Sequence, residues 1–346
     1  MPKYPHHKNQ NGSWLMKSRE IHLNAYLKGA PDPKYYDVVE TDVPAPGAGE
    51  VLVRNLYISV DPYMRGRMSG VHTYIAPFGI GQVMDGGAVG EVIESNFDGL
   101  KPGDHVSSMH GWREAYTAPG AGLTKIDTSI LPPQAFLGIA GMPGLTAYVG
   151  LKRMIDLQPG ETLWMSAGAG AVGSSGIQFA KAMGATVIAT AGGAEKCAFV
   201  KSLGADHVVD YKATDDLTAA ITAVAPDGVD GYFENVGGTH FTAALNTLRR
   251  KGRIAACGMI QRYNDTSAAT LPDNLTMMIG KSLTIRGFIV SDHADMFTDF
   301  VSDLGNWMAA GKIKPAETVM DGIENAPAAF SGLFTGQNTG KMLVKI

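Results

Sequence analysis

The sequence predicts an α/β protein of two domains, a compact antiparallel β-barrel and a six-stranded, doubly wound parallel sheet. Three observations predict it. At 346 residues the chain exceeds one ordinary core and suits two. From about Glu20 to Leu131 it reads as short strands broken by glycine- and proline-rich turns. After Gly141 strand-like runs alternate with helix-length segments, the rhythm of parallel strands joined by helical crossovers.

Met1 to Leu15, MPKYPHHKNQNGSWL, lacks the apolar core of a secretory signal. Residues 1–16 are expected to be a mobile extension, native or vector-derived, with Met16 a candidate natural start. In the barrel, Val51–Leu56 follows the turn Pro44–Gly49, and Gly86–Ile93 and Pro102–Val106 read as further strands. In the second half, strands are expected near Leu163–Ala167, Thr186–Thr190, His207–Val209, Gly231–Glu234, Arg253–Cys257 and Leu283–Phe288. Helices are expected near Val172–Met183, Glu195–Leu203, Leu217–Val224, His240–Arg249, Leu271–Gly280 and Met296–Ala310. From Thr318 the chain reverts to turns and a last strand, Lys341–Ile346. The expected layout is therefore a barrel of 17–140 with 311–346 and a dinucleotide-binding domain of 141–310.

Composition narrows the function. Hydrophobic residues make up 45% and charged residues 18%, as in a folded globular chain. A net charge of −4 offers no basic footprint for nucleic acid or anionic membrane. No apolar run approaches the roughly eighteen residues of a membrane-spanning helix. Cys197 and Cys257, the only two cysteines, make no disulfide framework and suit a reducing cytoplasm.

The first parallel strand, Thr162–Ser166, runs into Ala167-Gly168-Ala169-Gly170-Ala171-Val172-Gly173 and then a helix. This is a variant Rossmann fingerprint, with Ala167, Gly170 and Gly173 at its key spacings. Small residues there let the turn close and bring backbone N–H groups to a pyrophosphate. A glycine-rich turn alone is weak evidence, because such turns close many strands. Its position, after a strand and at the head of six alternating units, favours dinucleotide binding. An NAD site places a carboxylate at the end of the second strand to hold the ribose 2′-hydroxyl. Here that strand ends Ala189-Thr190-Ala191-Gly192-Gly193, with no acid, and Lys196 lies just beyond. A solvated surface lysine is the ordinary fate of such a residue, but the missing acid and the lysine together point to NADPH.

Zinc alcohol dehydrogenases need thiolate and imidazole ligands, and neither cysteine lies in the first domain. The nine histidines show no metal spacing, so no metal is expected. At this point the sequence resembles the zinc-independent medium-chain dehydrogenases/reductases, in the branch of prostaglandin and leukotriene reductases, plant alkenal double-bond reductases and bacterial curcumin reductase. The resemblance runs from about Arg19 to Ile346. Its segments are Asp61–Arg65, Met142–Tyr148, the fingerprint, Tyr232–Gly238, Gly252–Gly258, Gln261–Asn264 and Glu324–Phe330. It implies a GroES-like catalytic barrel beside the Rossmann domain, and NADPH-dependent reduction of a C=C bond conjugated to a carbonyl. It further implies cofactor contacts at Met142, Thr146, Lys196, Tyr211, Asn235, Cys257, Phe288, Val290 and Asn338. To these the strand-end motifs add Ala171, Val172, Gly192 and Gly258. Relatives of this kind are commonly homodimers joined through their Rossmann domains.

Hydride addition to the β-carbon of an enone or enal leaves negative charge on the carbonyl oxygen. Without a metal, a hydroxyl is the natural donor. Tyr263 is the first candidate, since it follows the fifth strand on the ligand-binding edge of such sheets. It either meets the oxygen directly or orients the nicotinamide ribose hydroxyl that does. Tyr63 is the second candidate, although its segment also reads as a plain turn in which Arg65 pairs with a carboxylate. Solvent is an adequate proton source for the α-carbon. Two alternatives stay open: an NADPH:quinone oxidoreductase of the same superfamily, and a non-catalytic NADPH-binding protein.

Overall fold

The computed structural model describes residues 6–8, 14–268 and 270–346. The chain separates into two units, residues 1–137 with 318–337 and 342–346, and residues 138–317 with 338–341.

The first unit is built on two antiparallel sheets. In one, Trp14–Leu23 pairs along its length with Tyr36–Pro44, and also takes His6–Lys8 and Gln82–Val83 as partners. In the other, Glu50–Ser59 lies at the centre, flanked by Ala88–Ser95, Ala115–Pro119 and the carboxyl-terminal strand Lys341–Lys345. Alternation sets the faces, because successive side chains of a strand point to opposite sides. Val51 and Val53 enter a cluster with Val92, Val106 and Tyr116, whereas Leu52 between them packs with Met16, Val43 and Ala115.

Met16 bears on the expected extension. Residues 1–5 and 9–13 lie outside the described residues, but residues 14–16 begin a long strand and Met16 is buried in that last cluster. The core thus reaches back into the segment expected to be mobile. A second difference is the helix Ala326–Thr335, where turns were expected. Proline in its first turn and Gly336 in the left-handed region after its last residue bound it, and Ala326, Ala329 and Phe330 bury one face.

The second unit is a six-stranded parallel sheet. Its strands are Thr162–Met165, Thr186–Ala191, His207–Asp210, Val229–Glu234, Leu248–Ala256 and Thr284–Gly287. They lie in the order third, second, first, fourth, fifth, sixth, with every neighbouring pair parallel. Both faces are covered, as an all-parallel sheet requires. Leu163, Met165, Val187, Ala189, Phe233 and Ala255 point into one cluster. Their sequence neighbours Trp164, Ile188, Tyr232 and Ile254 point into the other.

The crossovers are Ala171–Ala182, Ala194–Ser202, Leu217–Val224 and Gly238–Thr247, and Phe297–Ala309 follows the sixth strand. Ahead of the sheet, Met142–Val149 is helical and continues as a wider π-turn through Ile155, an element the sequence reading did not identify. The helix expected over Leu271–Gly280 shrinks to the single turn Met277–Gly280. Pro272 cannot continue a helix from before it, and the Asn274 side chain is taken up by Thr242 and Asn246.

At the carboxyl end the units divide differently from the expected 311–346 block. Ile313 joins the core beside the sheet, and Gln178 holds Lys314 through both its amide atoms. Residues 338–341 return to the same unit, where the Gly340 N–H donates to the Ala169 carbonyl at 2.8 Å. Among the described residues no helix is long and apolar enough to cross a membrane.

Candidate active site

Most of the expected cofactor residues of the second unit lie directly past the carboxyl ends of its six strands. The fingerprint follows the first strand, Gly192 the second, Tyr211 the third, Asn235 the fourth, Cys257 and Gly258 the fifth, and Phe288 and Val290 the sixth. Ligands of open parallel sheets bind at this edge, in the crevice where the strand order reverses. Here that crevice opens between the first and fourth strands, which are neighbours in the sheet.

The fingerprint turn is built to bring backbone close to a ligand. Ala167 holds a left-handed conformation at φ 48°, which L-residues with side chains seldom adopt. Gly168 then donates back to the Thr190 carbonyl and Gly170 to the Ala167 carbonyl, both at 2.9 Å. Gly173 must be glycine: a Cβ there would lie 2.3 Å from the Ala167 oxygen and 2.8 Å from the Gly168 Cα. The helix that starts at Ala171 has no side-chain cap at Gly170. The first-turn N–H groups of Ala171, Val172 and Gly173 therefore have no intrahelical partner. With the helix dipole they form an anion-seeking end. Asn338 is buried beside this turn, its amide donating to the Gly340 carbonyl at 2.9 Å.

Across the crevice a hydrogen-bond clasp joins the first and fourth strands. The Ser166 hydroxyl donates to the Phe233 carbonyl at 2.8 Å and accepts the Asn235 N–H at 2.8 Å. The Asn235 amide returns a bond to the Ser166 carbonyl at 2.9 Å. Beneath it, fully buried Glu234 gathers the N–H groups of Val236 at 2.7 Å and Gly237 at 2.9 Å and the Tyr232 hydroxyl at 2.9 Å. Burial pushes the Glu234 carboxyl above the ordinary value even though those donors pull it down. The sequence reading missed both Ser166 and Glu234. The only signal was their place at the carboxyl ends of two adjacent strands.

At the second strand's end, Lys196 is half-buried near the start of its helix. Burial and then the charge of Lys212 lower its ammonium pKa. Thr146 is buried, its hydroxyl bonded to the Met142 carbonyl at 2.8 Å, and Met142 is exposed. Phe288 stands edge-on to Phe233 at 6.4 Å. Burial, and secondarily Glu234, drives the Cys257 thiol up to about 12, so it stays protonated and unreactive. Tyr263 sits just past the short helical turn Ile260–Arg262, and its hydroxyl accepts the Met259 N–H at 3.4 Å over Gly258.

Tyr63 belongs to the other unit. It caps the single turn Met64–Arg67, and burial, followed by the Asp61 charge, holds its hydroxyl well above the ordinary value and thus protonated. Arg65 donates through Nε and Nη2 to the Gly29 carbonyl at 3.1 and 2.8 Å. Among the described residues no group of three or more His, Cys, Asp or Glu is placed to hold a metal ion.

Known proteins share this architecture. Residues 19–126 match the family model of the N-terminal domain of oxidoreductase, and residues 171–305 match that of the zinc-binding dehydrogenases. The NADPH-dependent curcumin reductase of Escherichia coli strain K12 is 39% identical over 345 residues, covering 98% of this chain and 98% of its own. The NADP(+)-dependent 2-alkenal reductase of Nicotiana tabacum is 38% identical over 338 residues, covering 96% of this chain and 98% of its own. Among solved structures, CurA of Vibrio vulnificus in complex with NADPH aligns with a TM-score of 0.89 at 41% identity, over 94% of this chain and 98% of that one.

Proposed function

The chain belongs to the zinc-independent medium-chain dehydrogenase/reductase family, in the branch of the curcumin, 2-alkenal and prostaglandin reductases, and from that premise we propose that it reduces the C=C bond of α,β-unsaturated ketones and aldehydes with NADPH. The observation that carries the reading is the edge of the parallel sheet. A fingerprint turn that admits no side chain at Gly173 and a second strand that ends without a carboxylate suit a 2′-phosphorylated dinucleotide.

When bound, NADPH supplies the hydride that adds to the β-carbon. The protein's part is placement and charge. The N–H groups of Ala171, Val172 and Gly173 receive the pyrophosphate, Lys196 and Tyr211 the 2′-phosphate, and Asn235, Cys257, Gly258, Phe288, Val290 and Asn338 the remainder, with Met142 and Thr146 from the preceding helix. The Ser166–Asn235 clasp fixes the crevice walls, so their donors need no rearrangement as charge develops. Tyr263 stabilises the enolate oxygen, directly or by orienting the ribose hydroxyl. Its position past the fifth strand supports that role. Tyr63, kept protonated by burial, stays the second candidate hydroxyl. The α-carbon takes its proton from solvent.

We extend the reading to a homodimer joined through the sixth strand. Thr284–Gly287 is the sheet's edge and is exposed along its length, with Leu271 and Ile279 strongly exposed in the segment before it. An unpaired edge bearing apolar residues is a template for a second strand. Two free cysteines support a cytoplasmic location.

The test follows NADPH oxidation in the near-ultraviolet with a panel of enones, enals and quinones, repeated with NADH and after chelation. Enone turnover that prefers NADPH and survives chelation is the expected result. Turnover confined to quinones would assign the chain to the quinone reductases, and tight NADPH binding without turnover of any acceptor would make it a non-catalytic binding protein.

A further inference from the structure

The second and third strands are paired in parallel, with Ala191 opposite Asp210. The residues that follow each strand, Gly192-Gly193 and Tyr211-Lys212, are therefore brought side by side. Their packing is close. A Cβ on Gly192 would lie 2.7 Å from the Tyr211 hydroxyl oxygen and 2.9 Å from the Lys212 Cε, so the missing side chain is the space these two occupy. The Asp210 carboxylate does not neutralise the patch by pairing with a lysine. Its Oδ1 accepts the N–H groups of Gly193 and Lys212, both at 2.9 Å, and so holds the two loops together.

This leaves two ammonium groups at one strand edge. Lys196 approaches from the helix after the second strand and Lys212 from the loop after the third. Neither forms an ion pair among the described residues. Burial, and secondarily the charge of Lys212, lowers the Lys196 ammonium pKa. Like charges on neighbouring loops repel, and a dianion placed between them removes that cost. A phosphate monoester carries about −1.5 to −2 charges at neutral pH, whereas an unphosphorylated ribose brings none.

We propose that Lys212 is a second cation on the cofactor 2′-phosphate, opposite Lys196, and that Gly192 determines specificity by leaving room for it. This rests on the NADPH reading and deepens it. The discrimination then comes from cations on two loops held together by Asp210.

The experiment compares wild type with Lys212→Ala, Lys212→Arg, Gly192→Ala and Lys196→Ala. It reads the ratio of kcat/KM with NADPH to kcat/KM with NADH at a fixed enone. It also reads the inhibition constant of adenosine 2′,5′-bisphosphate against that of AMP. Lys212→Ala should lower the NADPH/NADH ratio about tenfold, the usual worth of one charge-assisted contact. The same variant should weaken the bisphosphate but not AMP, and flatten the salt dependence of NADPH use. Lys212→Arg should restore most of the ratio, and Gly192→Ala should lower it by displacing Tyr211 and Lys212. A ratio within about twofold of wild type in Lys212→Ala, alongside a loss in Lys196→Ala, overturns the role of Lys212 and leaves the NADPH reading standing, since one charge-assisted contact is worth more than that. A wild type indifferent to the 2′-phosphate overturns both.

Discussion

His240 offers a pH test of the packing behind the cofactor edge. It lies in the helix Gly238–Thr247 at 3% exposure, tilted against Trp164 at 6.1 Å and edge-on to Tyr211 at 5.2 Å. Its Nε2 has no hydrogen-bond partner among the described residues. Burial alone lowers its pKa from 6.5 to about 4. The folded protein thus resists a proton that the unfolded chain accepts. The stability contributed by the neutral ring is complete above the ordinary value of 6.5 and is lost as pH falls through that value towards about 4. At about pH 4.5 the loss amounts to roughly 2–3 kcal/mol, from 1.36 kcal/mol for each pH unit spent between the two values. His240→Phe keeps a ring between Trp164 and Tyr211 and cannot titrate. Urea unfolding of the variant and wild type at neutral pH and near pH 4.5 should therefore show the variant gaining roughly 2–3 kcal/mol on wild type at the acid end. A histidine titration by NMR, with the variant identifying the resonance, should give a midpoint of about 4. A stability difference that stays flat with pH, or an ordinary midpoint, would refute the claim that the ring is packed dry.

Three further outcomes follow from the site. Lys196→Ala should weaken NADPH binding by about 1.5–3 kcal/mol in a titration of cofactor fluorescence and leave NADH nearly unaffected, and equal losses would count against a phosphate contact. Tyr263→Phe should reduce enone turnover by roughly a hundredfold while NADPH affinity stays within a few-fold, and unchanged turnover would remove the hydroxyl from the mechanism. Gly173→Ala should abolish measurable cofactor binding, because the added carbon would lie 2.3 Å from the Ala167 oxygen and the helix start would have to move. Calorimetry of NADPH binding checks this, and retained affinity would show that the turn can relax.

The sequence was most informative where burial is periodic. Leu163, Trp164 and Met165, like Val187, Ile188 and Ala189, alternate between two cores, and such runs bounded by glycine turns read directly as buried parallel strands. It was less informative where small residues make the helix. Ala326–Thr335 contains proline, glycine, serine and threonine, signals that usually mark turns, yet its alanines let Phe330 pack edge-on to Trp112 at 6.2 Å. The reverse error occurred at Leu271–Gly280, whose apolar spacing suggested a helix that Pro272 and Asn274 interrupt. In the site, the fingerprint and the absent carboxylate could be read because backbone approach and charge repulsion restrict residue type locally. Ser166, Glu234 and Lys212 could not, because their meaning depends on which strands become neighbours. Asp210 facing Ala191 is a fact of sheet order, and sheet order is not written in any one segment.

The bond from Gly340 to Ala169 has a consequence for how the protein is made. The turn expected to receive the pyrophosphate is translated well before its backbone partner, which follows about 170 residues later. Glu50–Ser59, among the first strands synthesised, likewise waits for Lys341–Lys345 to pair with it. A chain synthesised only as far as Asn338 therefore has a sheet and a fingerprint but neither of these closures. Truncation before Gly340 should yield protein that is degraded rather than partly active, since residues 338–346 contribute to both units.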